Sequence, residues 1–395
     1  MVGPRAARRY RRVGFFLLLA LLCPGMRAET VSSVEAFFLG AADSGDGGVD
    51  PVDAGTYAGA RFSLDSAKGD ALKGSARVSV ESSTGFTLDR AYLKARLSRA
   101  SKAGAARLTL GKAPLSWGKG FIFNAGDPVF GAVPRVTSLS DGDFRTSTAW
   151  MAVAYFPFGS FSFAEAALLP RVPGSVPSAE TGSIPDNGAL RRGIAGDFNE
   201  RYRAGIRVVA SPRWRFFQSA EAGCLAADSG ETIGYLSFDG SAFLDWYGAV
   251  SARRAVSVSA TDGPEIACSL GLFRIADFIP GHAIAFRLEA LAFPERRRVL
   301  LYPSLEAELA DGISLLAQGL FASGDSLAEI ATGANADDPA IAALPSIDSG
   351  DALLSLGLSW TLLNDIALSG AAFWRVEKGD SYPGFGIQAG FRVFF

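Results

Sequence analysis

The residues of this chain that could do chemistry are poor material for a catalyst. His282 is its one histidine and stands in the turn-like stretch Pro280-Gly281-His282, so a Ser-His-acid hydrolase would have to be built around that single imidazole. Zinc sites need several His or Cys ligands, and Cys224, Cys268 and His282 are widely spread. Asp43, Asp46, Asp50 and Asp53 could approach a calcium ion, but they lack the spacing of an EF-hand loop and its closing glutamate, so a solvated acidic turn is expected. Gly118-Lys119-Gly120 is followed by no βαβ pattern and is not a nucleotide loop. No catalytic residue, cofactor or metal is expected.

Charge is the feature that is organised. Arg90, Tyr92, Lys94 and Arg96 alternate with Ala91, Leu93, Ala95 and Leu97, which puts charge on one face of a strand and apolar groups on the other. Arg61, Arg77, Arg107, Arg203, Arg207 and Arg215 extend the basic character through the first half of the chain. Asp245, Glu289, Glu306 and Glu308 make part of the second half acidic, with Arg287 and Arg392 as exceptions. If the alternation belongs to a membrane barrel, the charges must face its interior, since near the midplane a lipid-facing charge costs about 2–4 kcal/mol. Arg90, Lys94, Arg96, Arg107, Arg203, Arg207, Glu289, Glu306 and Glu308 are the expected lining of a water-filled pore. The plainer alternative is that they pair locally.

The elements that must carry these residues are strands. Two-residue alternation recurs in eighteen segments, among them 88–97, 213–224, 352–362 and 385–395; sixteen strands is the next best count. Leu354, Leu356, Leu358 and Trp360 alternating with Ser355, Gly357, Ser359 and Thr361 show the pattern most cleanly. Connection lengths test it independently. Pro157-Phe158, Ser211-Pro212, Asp239-Gly240-Ser241, Ala310-Asp311-Gly312 and Leu363-Asn364 are tight turns after even-numbered strands, whereas the long connections 112–145, 170–201 and 323–351 follow odd ones. Short turns at one end and long loops at the other are the asymmetry of an outer-membrane β-barrel.

The termini supply the context. Arg5, Arg8, Arg9, Arg11 and Arg12 precede an apolar run from Val13 to Leu22, and Met26-Arg27-Ala28 offers a small residue at a cleavage point, which is the pattern of a secretory signal peptide. The expected domains are a signal peptide at 1–28 and a β-barrel at 29–395. Ala20-Leu21-Leu22-Cys23 faintly resembles a lipoprotein box as an alternative. Removing residues 1–28 takes away six of the 38 basic residues and none of the 40 acids, leaving a formal charge of about −8. That acidic balance argues against nucleic acid as a partner. Cys224 and Cys268 fall on strands too far apart for a disulfide and are expected as free, membrane-facing thiols. The chain closes on Phe385, Ile387, Ala389, Phe391, Val393 and Phe395, apolar at every second position.

That ending resembles bacterial outer-membrane β-barrel proteins, whose last strand commonly ends in Phe behind alternating apolar residues. Phe385, Phe391, Val393 and Phe395 carry the match. The resemblance implies an all-β, transmembrane antiparallel up-and-down barrel with both termini in the periplasm and export through the general secretory pathway. It also implies outer-membrane lipid and the barrel-assembly machinery as partners. A second resemblance is narrower. Gly111, Lys112, Leu115, Trp117, Gly118 and Gly120 are similar to a Gly-basic-x-x-apolar-x-Trp-Gly-x-Gly phrase found in poorly characterised outer-membrane barrels. A loop so dense in Gly, Pro and aromatic residues either folds into the lumen as a constriction carrying Trp117, Lys119, Phe121, Asn124 and Asp127, or forms an ordered outer rim.

These readings converge on a porin-like channel for passive diffusion of small hydrophilic solutes. A closed structural or adhesive barrel presenting long surface loops is the alternative from another class. A fatty-acid-like transporter of hydrophobic substrates is the alternative within transport.

Overall fold

A computed structural model describes residues 30–44, 53–66, 71–81, 85–97, 104–133, 145, 147–172, 199, 201–212, 214, 216–254, 264–279, 282–324, 352–362, 366–376 and 384–394. The expected signal segment 1–28, Phe395, Arg215, and most of the connections 170–201 and 323–351 lie outside the described residues.

Among the described residues, every regular element but one three-residue 3-10 turn is a strand. They are β1 (Thr30–Ser44), β2 (Asp53–Ser66), β3 (Leu72–Glu81), β4 (Gly85–Arg96), β5 (Arg107–Ala113) and β6 (Ala149–Pro157). Next come β7 (Phe163–Leu169), β8 (Arg203–Ala210), β9 (Ser219–Ala227), β10 (Thr232–Ser241), β11 (Asp245–Arg254) and β12 (Glu265–Ile279). The last six are β13 (His282–Phe293), β14 (Arg298–Ala310), β15 (Ile313–Ser323), β16 (Ala352–Leu362), β17 (Ile366–Val376) and β18 (Gly384–Phe394). Each pairs antiparallel with its chain neighbours, and β1 pairs with β18 from Glu35↔Phe394 to Ser44↔Phe385, closing a single 18-stranded barrel. Closure satisfies both edge strands, which an apolar solvent requires.

The alternation read from the sequence places apolar residues outward on every part of the wall. Phe38, Val80, Leu110, Ile206, Leu236, Leu270, Leu356 and Ile387 are all exposed. A continuous apolar exterior is untenable in water and fits lipid. Phe158, Phe161, Trp214, Phe216 and Phe243 are exposed near turns that follow even-numbered strands, forming an aromatic girdle at that end. Phe385, Val393 and Phe391 belong to β18, and Phe391 stacks on Phe38 across the seam at 6.0 Å between ring centroids. No helix among the described residues is long and apolar enough to cross a membrane.

One boundary and one register differ from expectation. β9 begins at Ser219, not near 213, because the aromatic run before it is consumed in packing at the turn: Phe217 meets Trp214, Phe238 and Trp246 at 5.5–6.3 Å. Between β3 and β4 the register shifts at Arg77 and Val78, Arg77 pairing with Arg90 and Val78 with Leu88, so Asp89 is an extra residue in β4. This bulge turns both Asp89 and Arg90 toward the interior, where strict alternation would allow only one.

Candidate functional site

After β5, Pro114 withdraws a backbone donor and the chain leaves the wall as a loop over 114–133. The loop does not stand at the rim. Residues 122–130 are all buried, and Trp117, Ile122 and Asn124 have no exposed surface. The side chains they meet have the inward register of the wall. Leu115, Trp117, Val129 and Phe130 cluster with Met151, Val153, Leu169, Leu225 and Tyr235 from β6, β7, β9 and β10. Ile122, Phe123, Ala125 and Val133 cluster with Ala249, Leu291, Leu300, Tyr302 and Leu320 from β11 and β13–β15. The loop therefore covers the inner wall from β6 to β15.

Buried carboxylates hold its polar backbone. Glu289 on β13 accepts the backbone N–H groups of Phe121 (2.7 Å), Ile122 (2.7 Å) and Phe123 (2.8 Å), and the Tyr247 hydroxyl as well. Glu221 on β9 accepts the Gly118 N–H at 2.8 Å and the Tyr235 hydroxyl. Glu165 on β7 accepts the Trp117 indole N–H at 2.8 Å. Arg207 on β8 ties these together, donating to Glu165 (3.0 Å), Glu221 (3.1 Å) and the Ser116 carbonyl (2.8 Å), with its guanidinium 5.7 Å from the Trp117 ring centre. Ser269 on β12 accepts the Ala125 N–H. A loop buried this deeply must match its backbone donors, and a carboxylate can accept several at once.

The loop is also held internally. Asp127 accepts the N–H groups of Val129 and Phe130 and pairs with Arg145 at 2.9 Å, while Arg145 donates to the carbonyls of Ile122 and Ala132. Burial pushes the Asp127 carboxyl up to about 6, and Arg145 and the two amides pull against that rise. Gly118 has φ +70°, and a Cβ there would lie 2.5–2.7 Å from Asn124 and Gly126, so only glycine fits.

Several residues expected on a water-filled wall serve this clamp instead. Glu289 is 1% exposed, Arg207 is committed to Glu165 and Glu221, and Arg203 donates to the Val129 carbonyl at 3.0 Å. All three lie on the part of the inner wall over which the loop packs. Of the loop residues, Trp117, Asn124 and Asp127 are buried structural members. Lys119 reaches Asp239 at 3.6 Å, and Phe121 packs on Arg287 at 3.3 Å from guanidinium to ring centre.

Of the other half of the wall, β16–β18 and β1–β5, only edge residues such as Ala113, Tyr92 and Leu353 join these clusters among the described residues. Arg90 pairs with Asp65 at 3.1 Å, and Arg61 pairs with Glu35 at 3.0 Å and Asp89 at 3.7 Å. Lys94, Arg96 and Arg107 are exposed, Arg107 lying over the Tyr155 ring at 5.3 Å. Glu306 and Glu308 on β14 are exposed as well. The sequence reading missed Glu35, Asp65 and Asp89 as partners of this basic wall, and Glu165, Glu221, Tyr235, Tyr247 and Arg145 as loop anchors. Each carboxylate except Asp89, which the β4 bulge turns inward, was readable as inward-facing; which group it meets was not. Asp43 and Asp53 of the acidic stretch pair across β1 and β2, and 45–52 lies outside the described residues.

No protein-family model matches the chain, and no curated protein matches it. Solved structures do. OccK2 (OpdF) of Pseudomonas aeruginosa is 10% identical, with 93% of this chain and 98% of that chain covered and a TM-score of 0.57. OccK11 (OpdR) of the same bacterium is 13% identical over 93% and 95% of the two chains, with a TM-score of 0.54. Wzi of Escherichia coli, an outer-membrane carbohydrate-binding β-barrel involved in group 1 capsule assembly, is 13% identical over 98% and 87%, with a TM-score of 0.56. At these identities the likeness is one of architecture: the chain has the fold of the 18-stranded barrels of the Gram-negative outer membrane.

Proposed function

We propose that the protein is an outer-membrane channel for passive diffusion of small hydrophilic solutes, with its passage set off-centre against β16–β18 and β1–β5. The observation that carries this reading is the division of the lumen. An 18-stranded barrel is wide enough to hold an aqueous channel, the loop fills the side of β6–β15, and the facing wall keeps its charges partly exposed. The excess on that wall is positive. Lys73 stands opposite Lys94 and Arg96 opposite Arg107 in the strand register, and none of the four has an ion-pair partner among the described residues. Like charges placed directly opposite are unfavourable unless solvated or met by anions, so the passage favours anions over cations of the same size. OccK2 has also been solved with glucuronate and Wzi binds carbohydrate, which supports hydroxylated solutes as cargo.

The closed, loop-presenting barrel remains the second reading, favoured by the complete burial of residues 122–130. Conductance of the refolded chain in a planar bilayer separates the two. Discrete ohmic steps are expected. Silence in the wild type, with steps appearing only when the loop is released, would establish the closed barrel instead.

A further inference from the structure

Outside the lumen, the apolar surface of the described residues carries an open recess. A register row crossing five strands runs Ile206 on β8, Cys224 on β9, Gly234 on β10, Ala252 on β11 and Ile266 on β12. Large residues flank a centre that has no side chain, and a Cβ added at Gly234 would meet nothing within 4 Å. The result is an open apolar furrow of about 610 Å³, within the roughly 300–1,000 Å³ range of ligand clefts. Its outward direction is fixed by its neighbours, since Tyr235 and Arg207 are bonded inside the barrel while Cys224 is exposed.

The furrow leads to a cation. Two residues farther toward the end that carries the long connections, the row reads Ala204, Ala226, Thr232 and Arg254, so small residues continue up to the rim. Arg254 is exposed there. Two acids beside it in the strand register are already committed, Glu231 to Arg253 (2.6 Å) and Arg201 (4.0 Å), and Glu265 to Arg296 (3.1 Å). Arg254 has no ion-pair partner among the described residues.

We propose that this furrow binds one phosphate-bearing acyl lipid of the surrounding membrane, with an acyl chain along Gly234 and the phosphate on Arg254. The proposal rests on the outer-membrane reading. A flexible chain can follow a recess one strand wide, and its anionic head supplies the charge that Arg254 lacks. A second barrel packed on this face would leave Arg254 against apolar surface.

The full-length chain, reconstituted in phosphatidylglycerol vesicles and re-extracted in mild detergent, is examined by native mass spectrometry. The wild type should retain one lipid. Retention should fall in Gly234→Phe and in Ala252→Leu, which fill the furrow, and by about five-fold in Arg254→Gln, the factor expected of one cation at an anionic headgroup. Heat-modifiable migration in the same samples reports insertion separately, so failure of the barrel reading is distinguishable from failure of the site. Equal retention in wild type and furrow-filled variants would overturn the proposal, as would full retention in Arg254→Gln. A lipid-free dimer abolished by Gly234→Phe would assign the furrow to a second copy and overturn it too.

Discussion

The two halves of the lumen use the same residue types for opposite ends. On the covered side, Glu165, Glu221 and Glu289 are nearly inaccessible, and each is matched by donors from the loop or from Arg207, Tyr235 and Tyr247. On the uncovered side, Asp65 keeps 45% of its side-chain surface and Arg61 keeps 30%, and their pairs stay within the wall, Arg61 with Glu35 on the adjacent β1 and Asp65 with Arg90 across β3. A carboxylate buried in a dry, donor-rich site fixes structure, because losing it strands donors that have no water to replace it. The same carboxylate on a wet wall contributes little to stability and shapes the field felt by a passing ion. Charge alone does not make a pore-lining residue; what stands opposite it does.

The sharpest way to break this contrast is Glu289→Ala. It leaves three loop N–H groups and the Tyr247 hydroxyl without their acceptor, and each buried donor stranded in this way costs about 1–3 kcal/mol. The wall pairs without the loop, so the expected result is release of 114–133 with the barrel intact: faster amide exchange at 121–123, new protease cleavage in the loop, and higher conductance. Unchanged exchange at those three amides would show that the apolar clusters hold the loop unaided.

A smaller effect is expected from the uncovered wall. Neutralising Arg90, Lys94 and Arg96 together should move the reversal potential toward cation preference in a salt gradient, with folding stability nearly unchanged. Glu306 and Glu308, which lie on β14 of the other side but stay exposed near its Ala310 end, should move it the other way when changed to Gln. Both shifts should shrink near 1 M salt, where the Debye length falls to about 3 Å. Selectivity that responds to Arg207→Gln but not to the triple variant would place the ion path on the covered side and dissolve the comparison.

The smallest effect concerns pH. Asp127 has a folded value of about 6, above the ordinary carboxyl range, so the docked loop holds this proton more tightly than the released loop. The contribution is fully present below the ordinary carboxyl value of about 4 and is lost as pH rises through about 6. Exchange at 121–130, corrected for intrinsic rates, should therefore slow on going from neutral pH to about 5, and Asp127→Asn should remove that dependence. Slower exchange at neutral pH than in acid would reverse the sign.

Much of the fold was legible because strand alternation is local. Leu354 to Trp360 declare a two-faced strand without reference to any partner, and the tight turn at Asp311-Gly312, where Gly312 adopts φ +74°, declares its own geometry. The count of eighteen and the sorting of short and long connections follow from such signals added along the chain. The β4 bulge escaped because it inserts one residue into a pattern that otherwise continues unbroken, and β9 was read too early because an aromatic turn mimics alternation.

The sequence by itself determined that this chain makes a closed wall with an apolar exterior and a charged interior, and that one Gly-rich, Trp-bearing loop is unusual. Only the tertiary structure decided where that loop goes. Phe121 and Glu289 are 168 residues apart and meet because seven strands of wall intervene between β5 and β13 and curve back toward the loop. The furrow at Gly234 has the same origin, since Ile206, Cys224, Ala252 and Ile266 share its row through interstrand register. Alternation assigns each side chain to a face from its immediate neighbours; which groups share that face at one height depends on hydrogen-bond register summed around the closed barrel, which no local stretch encodes.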